Sequence, residues 1–186
     1  MRIRAVITVL AGCALAGQAL AADMSETAYA GQQGRAIKAL SDEEIAALRK
    51  GEGMGMAKAA ELNGYPGPLH VLALMRDLRL TETQINQVTA IRDRMSATAF
   101  PLGAELIERE RLLDGLFAQG RITPERLTAE TAAIGEIQGR LRAAHLGAHL
   151  ETRAILSPEQ VPRYNKLRGY DGTSGSDHSH PVGHRH

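Results

Sequence analysis

The chain has 186 residues, a length that predicts one domain, with or without tails. Its 22 basic and 21 acidic side chains nearly cancel, so no global charge favours nucleic acid as a partner. Trp is absent, there are only two Phe and four Tyr, and Ala, Leu, Arg and Glu are abundant. This composition is typical of long helices and argues against a protein built from sheets.

Residues 1–21 have the pattern of a secretory signal peptide, with two basic residues, an apolar run and small residues at positions 19 and 21. We therefore expect cleavage of this segment and export to the periplasm. Leu10 to Cys13 also resemble a lipoprotein box that would place a lipid on Cys13, but cleavage there would leave a very short apolar region. Since Cys13 is the only cysteine, the exported chain would have no thiol for a disulfide or a nucleophile.

Residues 22–64 are interpreted as an N-terminal extension with short helices, for which the sequence suggests no role. Ser41 and Glu44 have the spacing of a capping box and predict a short helix that stops at Gly51. The stretch GEGMGMAKAAELNGYPGP follows it. This stretch lacks the preceding strand and the Gly-Lys-Ser or Gly-Lys-Thr ending of a phosphate loop, so it is interpreted as a flexible break.

Residues 65–170 are predicted to form the main helical domain. An amphipathic helix from Pro68 comes first, and two long striped helices follow, joined by a short turn at residues 118–121. Pro101 lies inside the first long helix and should kink it. The apolar positions are Leu69, Leu72, Met75, Leu78 and Leu80, then Ile85, Val88, Ile91, Met95, Leu102, Leu106, Leu113 and Leu116, then Leu127, Ile134, Ile137, Leu141, Ala148 and Ile155. The predicted class is all-α, a long kinked antiparallel helical hairpin with flanking short helices.

Two nearly identical pentapeptides, LTETQ and LSPEQ, flank this hairpin. In each, a Leu closes the preceding helix, a Thr or Ser caps the next helix, and a Gln at the third helical position can reach back to the N–H of the cap. The motif residues are Leu80, Thr81 and Gln84, and Leu156, Ser157 and Gln160. Because the tip of the hairpin lies near residue 120, we expect the two motifs to meet at its open end.

Paired Leu-Thr-x-x-Gln motifs on a helical, exported chain resemble the Spy/CpxP family of periplasmic stress proteins, whose relatives include zinc-resistance-associated proteins and periplasmic metal sensors. The first motif matches fully, and the second has Ser157 in place of Thr. The resemblance covers about residues 65–170. It implies a bent hairpin that dimerises into a cradle and holds unfolded envelope proteins without ATP, or that senses envelope stress or metal.

We therefore expect an ATP-independent, chaperone-like stress protein that binds unfolded or misfolded envelope proteins as a homodimer. No enzyme signature is present, so we expect no catalysis and no required cofactor. A further interpretation is an adaptor that represses a membrane sensor kinase. The client-binding candidates are Arg92, Arg94, Arg140, Arg142, Leu146 and Leu150. For the two leucines, packing against the short helices or a dimer partner is the favoured alternative.

The alternative function is a periplasmic metal sensor or resistance protein that binds Zn, Cu or Ni. His145 and His149 are four residues apart on one helix face, and Asp93 is a candidate third ligand, although neighbouring arginines oppose a cation. The other interpretation makes His145 a packed interior residue. The tail, residues 171–186, is predicted to be disordered and able to capture these metals. Its histidines are His178, His180, His184 and His186.

Overall fold

The computed structural model describes residues 28–171, and the chain divides into two units, residues 1–33 and 34–186. The predicted signal peptide, Cys13 and the four tail histidines lie outside the described residues. Within residues 34–171 the chain forms six α-helices and no extended strand. They are α1 (Asp42–Arg49), α2 (Lys58–Glu61), α3 (Pro68–Ala73), α4 (Glu82–Ala118), α5 (Pro124–Ile155) and α6 (Gln160–Leu167). The predicted all-α class is confirmed.

The two long helices, α4 and α5, pack against each other as the predicted hairpin. Two ion pairs show that the helices are antiparallel. Arg94 pairs with Glu151 at 2.5 Å, near the open end, and Arg109 pairs with Glu130 at 3.3 Å, closer to the tip. The turn between the helices contains Gly120 at a φ of 62°, a conformation that glycine adopts without strain. Helix α4 continues through Pro101, as predicted, and the kink there stays a prediction.

The middle of the hairpin carries one apolar cluster, to which the N-terminal extension contributes. Helix α1 starts with the predicted capping box of Ser41 and Glu44 and packs onto α4. Gly103 allows this approach, because a Cβ there would lie 2.3 Å from the backbone oxygen of Leu48. The cluster contains Ile37, Ile45, Leu48, Ala99, Leu102, Leu106, Ile107, Ile134, Ile137 and Leu141. The extension therefore has a structural role that the sequence did not suggest.

A second apolar cluster lies at the open end of the hairpin and consists of Val71, Leu78, Val88, Leu156, Val161 and Tyr164. The amphipathic helix predicted from Pro68 is wrong in its length and in some of its buried positions. Helix α3 ends at Ala73, and the chain reaches the first motif through turns that include Arg79 at a φ of 52°. Leu69 and Met75 are 63% and 38% exposed, while Val71 takes the buried position.

Helix α6 begins two residues later than predicted. Ser157 was expected to cap it with Pro158 as the first helical residue, but the N–H of Gln160 donates to the carbonyl of Ser157 at 3.1 Å, which closes a tighter turn. The predicted reciprocal contacts still form. Gln160 N–H donates to the Ser157 hydroxyl at 3.3 Å, and Ser157 N–H donates to Gln160 Oε1 at 2.9 Å.

Candidate functional site

The two repeated motifs meet at the open end of the hairpin through their glutamines. Gln84 Nε2 donates to Gln160 Oε1 at 2.8 Å, and Gln160 Nε2 donates to Gln84 Oε1 at 3.1 Å. Each amide also donates to a backbone carbonyl next to the other motif, Gln84 to Ile155 at 3.1 Å and Gln160 to Leu78 at 3.2 Å. The predicted meeting of the motifs is confirmed. The reciprocal amide pair, which we call the glutamine clasp, was not predicted from the sequence.

Each glutamine of the clasp also completes its own helix cap. Gln84 Oε1 accepts from the N–H of Thr81 at 3.0 Å, and the Thr81 hydroxyl accepts from Gln84 N–H at 3.2 Å. One Gln side chain thus satisfies a cap N–H, a partner amide and an otherwise free carbonyl. Neither Asn, which is shorter, nor Glu, which has no N–H to donate, can satisfy all three groups.

Beside the clasp, a buried carboxylate from the N-terminal extension forms the centre of a polar cluster. Glu61, the last residue of α2, is 8% exposed. Its Oε1 accepts from the hydroxyls of Tyr164 and, at 3.3 Å, Tyr170, and its Oε2 accepts from the N–H of Gly67 at 3.2 Å. Burial, and then the hydrogen bond to Glu61, raise the pKa of Tyr164 far above its usual value. The Tyr164 hydroxyl therefore stays protonated as a donor.

Three cationic or titratable side chains surround the same carboxylate. His70 Nδ1 lies 3.3 Å from Glu61 Oε1, His149 Nδ1 lies 3.6 Å from Oε2, and Arg168 Nε lies 3.6 Å from Oε1. A buried carboxylate needs such donors and charges to offset its desolvation. The Glu61 cluster thus fastens α2 and the segment after it to α5 and α6. No sequence signal selects Glu61, because it lies in a stretch without periodicity.

Both helix histidines of the metal hypothesis are buried. His149 Nδ1 lies 2.7 Å from the carbonyl of Tyr65, a contact that favours the tautomer with hydrogen on Nδ1. His145 is 4% exposed, and its Nε2 is buried without a hydrogen-bond partner. Burial, with a smaller contribution from His149, holds the pKa of His145 below its ordinary value. His145 is therefore neutral near pH 7.

Asp93, the third candidate ligand, is exposed, and its Oδ1 accepts from Arg92 Nη2 at 2.7 Å. Across residues 28–171, no group of three His, Cys, Asp or Glu side chains could hold a metal ion. The structure thus places the two histidines on one buried face without bringing Asp93 into a three-ligand site with them.

The client-binding candidates occupy different positions. Arg94 pairs with Glu151 on the hairpin surface, and Arg140 is exposed on α5. Leu146 is half-buried, and Leu150 is 58% exposed, so the short helices of its own chain leave Leu150 uncovered. Arg142 borders an open groove beside α1.

This groove, which we call the α1 groove, lies between α1, the segment after it and the middle of the hairpin. Its volume is about 600 Å³. The apolar lining is Leu40, Ala47, Leu48, Met54, Met56 and Leu106, and the polar lining is Glu43, Glu44, Glu52, Gln138 and Arg142. Sequence reasoning missed the α1 groove because one of its walls comes from the extension. Two closely spaced methionines before Lys58 were the signal available for it.

Comparison with known proteins assigns the family. A family model described as heavy-metal resistance matches residues 55–163, more than half of the chain and a range that contains both pentapeptides. The chain therefore belongs to the heavy-metal resistance family, which confirms the resemblance seen in the paired motifs. Neither the curated proteins nor the solved structures contain a match. None of the helices within residues 28–171 is long and apolar enough to cross a membrane.

Proposed function

We propose that this heavy-metal resistance protein is exported to the periplasm and binds apolar segments of unfolded envelope polypeptides, without nucleotide and without catalysis. The observation that carries the proposal is the α1 groove, an open and mostly apolar surface in the middle of the hairpin. An exposed apolar surface of this kind marks a site for a ligand or another polypeptide.

The lining of the α1 groove suits a ligand of variable sequence. Met54 and Met56 supply unbranched, polarisable side chains, which adapt to different partners more readily than branched ones. The rim mixes Glu43, Glu44 and Glu52 with Arg142, so charges of either sign on a polypeptide find an opposite charge. Mixed rim charges steer association without demanding one sequence.

We also propose that the protein acts as a homodimer. Leu150 supports this, because it is 58% exposed on a long helix and residues 28–171 of its own chain leave it uncovered. Leu150 itself does not line the α1 groove.

Adjacent alanines on α1 provide a matched test of polypeptide binding. Ala47 is half-buried and lines the α1 groove, whereas Ala46 is exposed and does not. We expect Ala47→Arg to fill the groove and abolish the suppression of aggregation of a chemically denatured client, followed by light scattering without nucleotide. Ala46→Arg adds the same charge to the same helix and should suppress like the unmodified protein. Equal suppression by both variants would contradict the proposal.

Metal capture is the second candidate function, favoured by the family to which the chain belongs. It would use the tail histidines together with His145 and His149. The test is the melting temperature of residues 22–186 and of a chain that ends at Asp171, each with and without zinc. A ligand at about 100 times its dissociation constant adds roughly 2.7 kcal/mol of stability, so specific binding would produce a clear shift. A shift only in the longer chain would assign zinc capture to the tail.

A further inference from the structure

The two ends of α1 each present a carboxylate to the α1 groove. Glu43 is the second residue of this helix, Glu52 follows its end, and both line the groove. Hydrogen bonds hold the backbone at each position. The Ser41 side chain caps the start of α1, and the N–H of Glu52 donates to the carbonyl of Ala47 at 2.9 Å after the last turn. The two carboxylates therefore lie about one helix length apart on well-held backbone.

Carboxylates outnumber cations in the lining of the α1 groove. The carboxylates are those of Glu43, Glu44 and Glu52, and the single cation is the guanidinium of Arg142. Hydrogen bonds from its own backbone N–H and from the capping hydroxyl hold the pKa of Glu43 below its ordinary value, so this side chain is ionised at neutral pH. The lining therefore carries an excess of negative charge.

Two cations outside the lining lie near these carboxylates without cancelling them. Lys50 Nζ lies 3.8 Å from Glu52 Oε1, but both side chains are more than half exposed. The attraction of Arg35 is the weakest of the effects that lower the pKa of Glu43. Exposed charges of this kind are screened by water and salt, and such pairs contribute little. A cationic group bound in the groove can therefore replace them as the partner of either carboxylate.

The length of α1 sets the spacing of a matching pair of cations. This helix has eight residues, and at about 1.5 Å per residue it is roughly 12 Å long. An extended polypeptide rises about 3.3 Å per residue, so it covers that length in about four residues. Ala47 and Leu48 lie on α1 between the two carboxylates and line the same groove. An extended segment with apolar residues between two basic ones therefore matches this wall in both charge and apolar character.

We propose that the α1 groove selects apolar segments flanked by basic residues, with the two lysines or arginines about four positions apart. This proposal rests on the proposed polypeptide binding and adds to it the charge of the preferred ligand. The apolar part of the segment contacts Ala47 and Leu48, and its cations lie beside Glu43 and Glu52. Arg142, on the α5 wall, repels such cations, so acidic segments still bind but more weakly.

Two labelled peptides that differ only in charge test the proposal. Each has three leucines between two charged residues and neutral Gly-Ser ends, and the charged residues are lysines in one peptide and glutamates in the other. We expect residues 22–186 to bind the lysine peptide about three- to tenfold more tightly by fluorescence anisotropy, a range set by a few exposed charge pairs, with a smaller preference in added salt. Equal affinities, or tighter binding of the glutamate peptide, would overturn the charge preference while polypeptide binding stands. Binding of neither peptide would instead reject the polypeptide binding on which the proposal rests.

Glu43→Gln and Glu125→Gln form a matched pair of variants. Each glutamate is the second residue of its helix, and in each the pKa is lowered by hydrogen bonds from its own N–H and from the capping hydroxyl. Of the two, only Glu43 lines the α1 groove. We expect Glu43→Gln to weaken binding of the lysine peptide about two- to fivefold, whereas Glu125→Gln should leave it unchanged. Equal effects of the two variants would reject the site.

Arg142→Gln provides a readout of the opposite sign. Since it removes the one cation in the lining, it should strengthen binding of the lysine peptide and weaken binding of the glutamate peptide. The same anisotropy titrations measure both changes. Weaker binding of the lysine peptide by Arg142→Gln would contradict the proposed charge preference, because a general loss of the groove would weaken both peptides alike.

Discussion

In the middle of the hairpin the contacts are apolar and depend on shape, whereas at the open end a polar network joins segments far apart in the chain. The middle is packed through Gly103, which lets the backbone of Leu48 approach α4. The open end is held by the glutamine clasp, whose two side chains are 76 residues apart, and by Glu61. Added volume should destabilise tight apolar packing, whereas loss of one partner should destabilise a polar network.

The two regions also differ in their expected roles, since we assign ligand binding to the middle of the hairpin and structural stability to the open end. The proposed polypeptide ligand binds beside α1 in the middle of the hairpin, where side chains such as Met54 are exposed at an open groove. At the open end the polar groups are largely paired with one another. We therefore expect substitutions at the open end to change stability, and substitutions in the α1 groove to change binding.

The largest expected effect is that of Glu61→Ala. Removal of the carboxylate leaves the Tyr164 hydroxyl and the Gly67 N–H without their acceptor. Breaking a buried charged network costs about 3 to 5 kcal/mol, and we expect a loss of that size in the free energy of unfolding, measured in urea. Glu151→Ala is the control, because that carboxylate is more than half exposed. A loss below about 1 kcal/mol for Glu61→Ala would mean that the open end does not depend on this carboxylate.

The Gly103→Ala variant tests the close packing of α1 on α4 in the middle of the hairpin. The added Cβ would meet a backbone oxygen at 2.3 Å, and backbone cannot rotate away as a side chain does. Overpacking of this kind costs about 1 to 3 kcal/mol, which outweighs the gain of about 1 kcal/mol in helix propensity. Gly139→Ala is the matched control, since nothing lies within 4 Å of a Cβ there, and it should stabilise α5. Equal melting temperatures for the two variants would exclude the close approach of α1.

The glutamine clasp should show coupling between its two members. Gln84→Ala and Gln160→Ala each remove one side of the amide pair, so the double variant should lose less than the sum of the single losses. We expect a coupling energy of about 1 to 2 kcal/mol, within the range for residues in one hydrogen-bond network. Urea unfolding of the four proteins in this cycle gives the value. Additive losses would show that the two motifs only cap their own helices.

The smallest expected effect is that of Arg94→Ala. Arg94 and Glu151 pair at 2.5 Å, but both side chains are more than half exposed. Exposed pairs contribute about 0.2 to 1 kcal/mol, so we expect a loss in this range that shrinks further in added salt. Thermal unfolding at low and high salt provides the comparison. A loss as large as that of Glu61→Ala would remove the contrast between surface and buried charges.

Local sequence signals predicted the parts of the fold that depend on residues close together in the chain. The cap at Thr81, the turn near Gly120 and the hairpin follow from capping and periodicity, and the structure confirms them. The partner of Gln84 could not be predicted, because it depends on how two segments far apart in the chain are aligned. Glu61 was missed because much of its environment comes from α5 and α6. Met75 was misplaced because α3 ends at Ala73 and the chain continues in turns.

Amide hydrogen exchange, with and without a saturating unfolded polypeptide, tests the central claim most directly. The claim is that the α1 groove binds and the open end does not. We expect slower exchange in residues 40–56, which form one wall of the groove, and unchanged exchange in residues 157–167. Protection confined to the open end, or no change in residues 40–56 while the polypeptide is bound, would contradict the account.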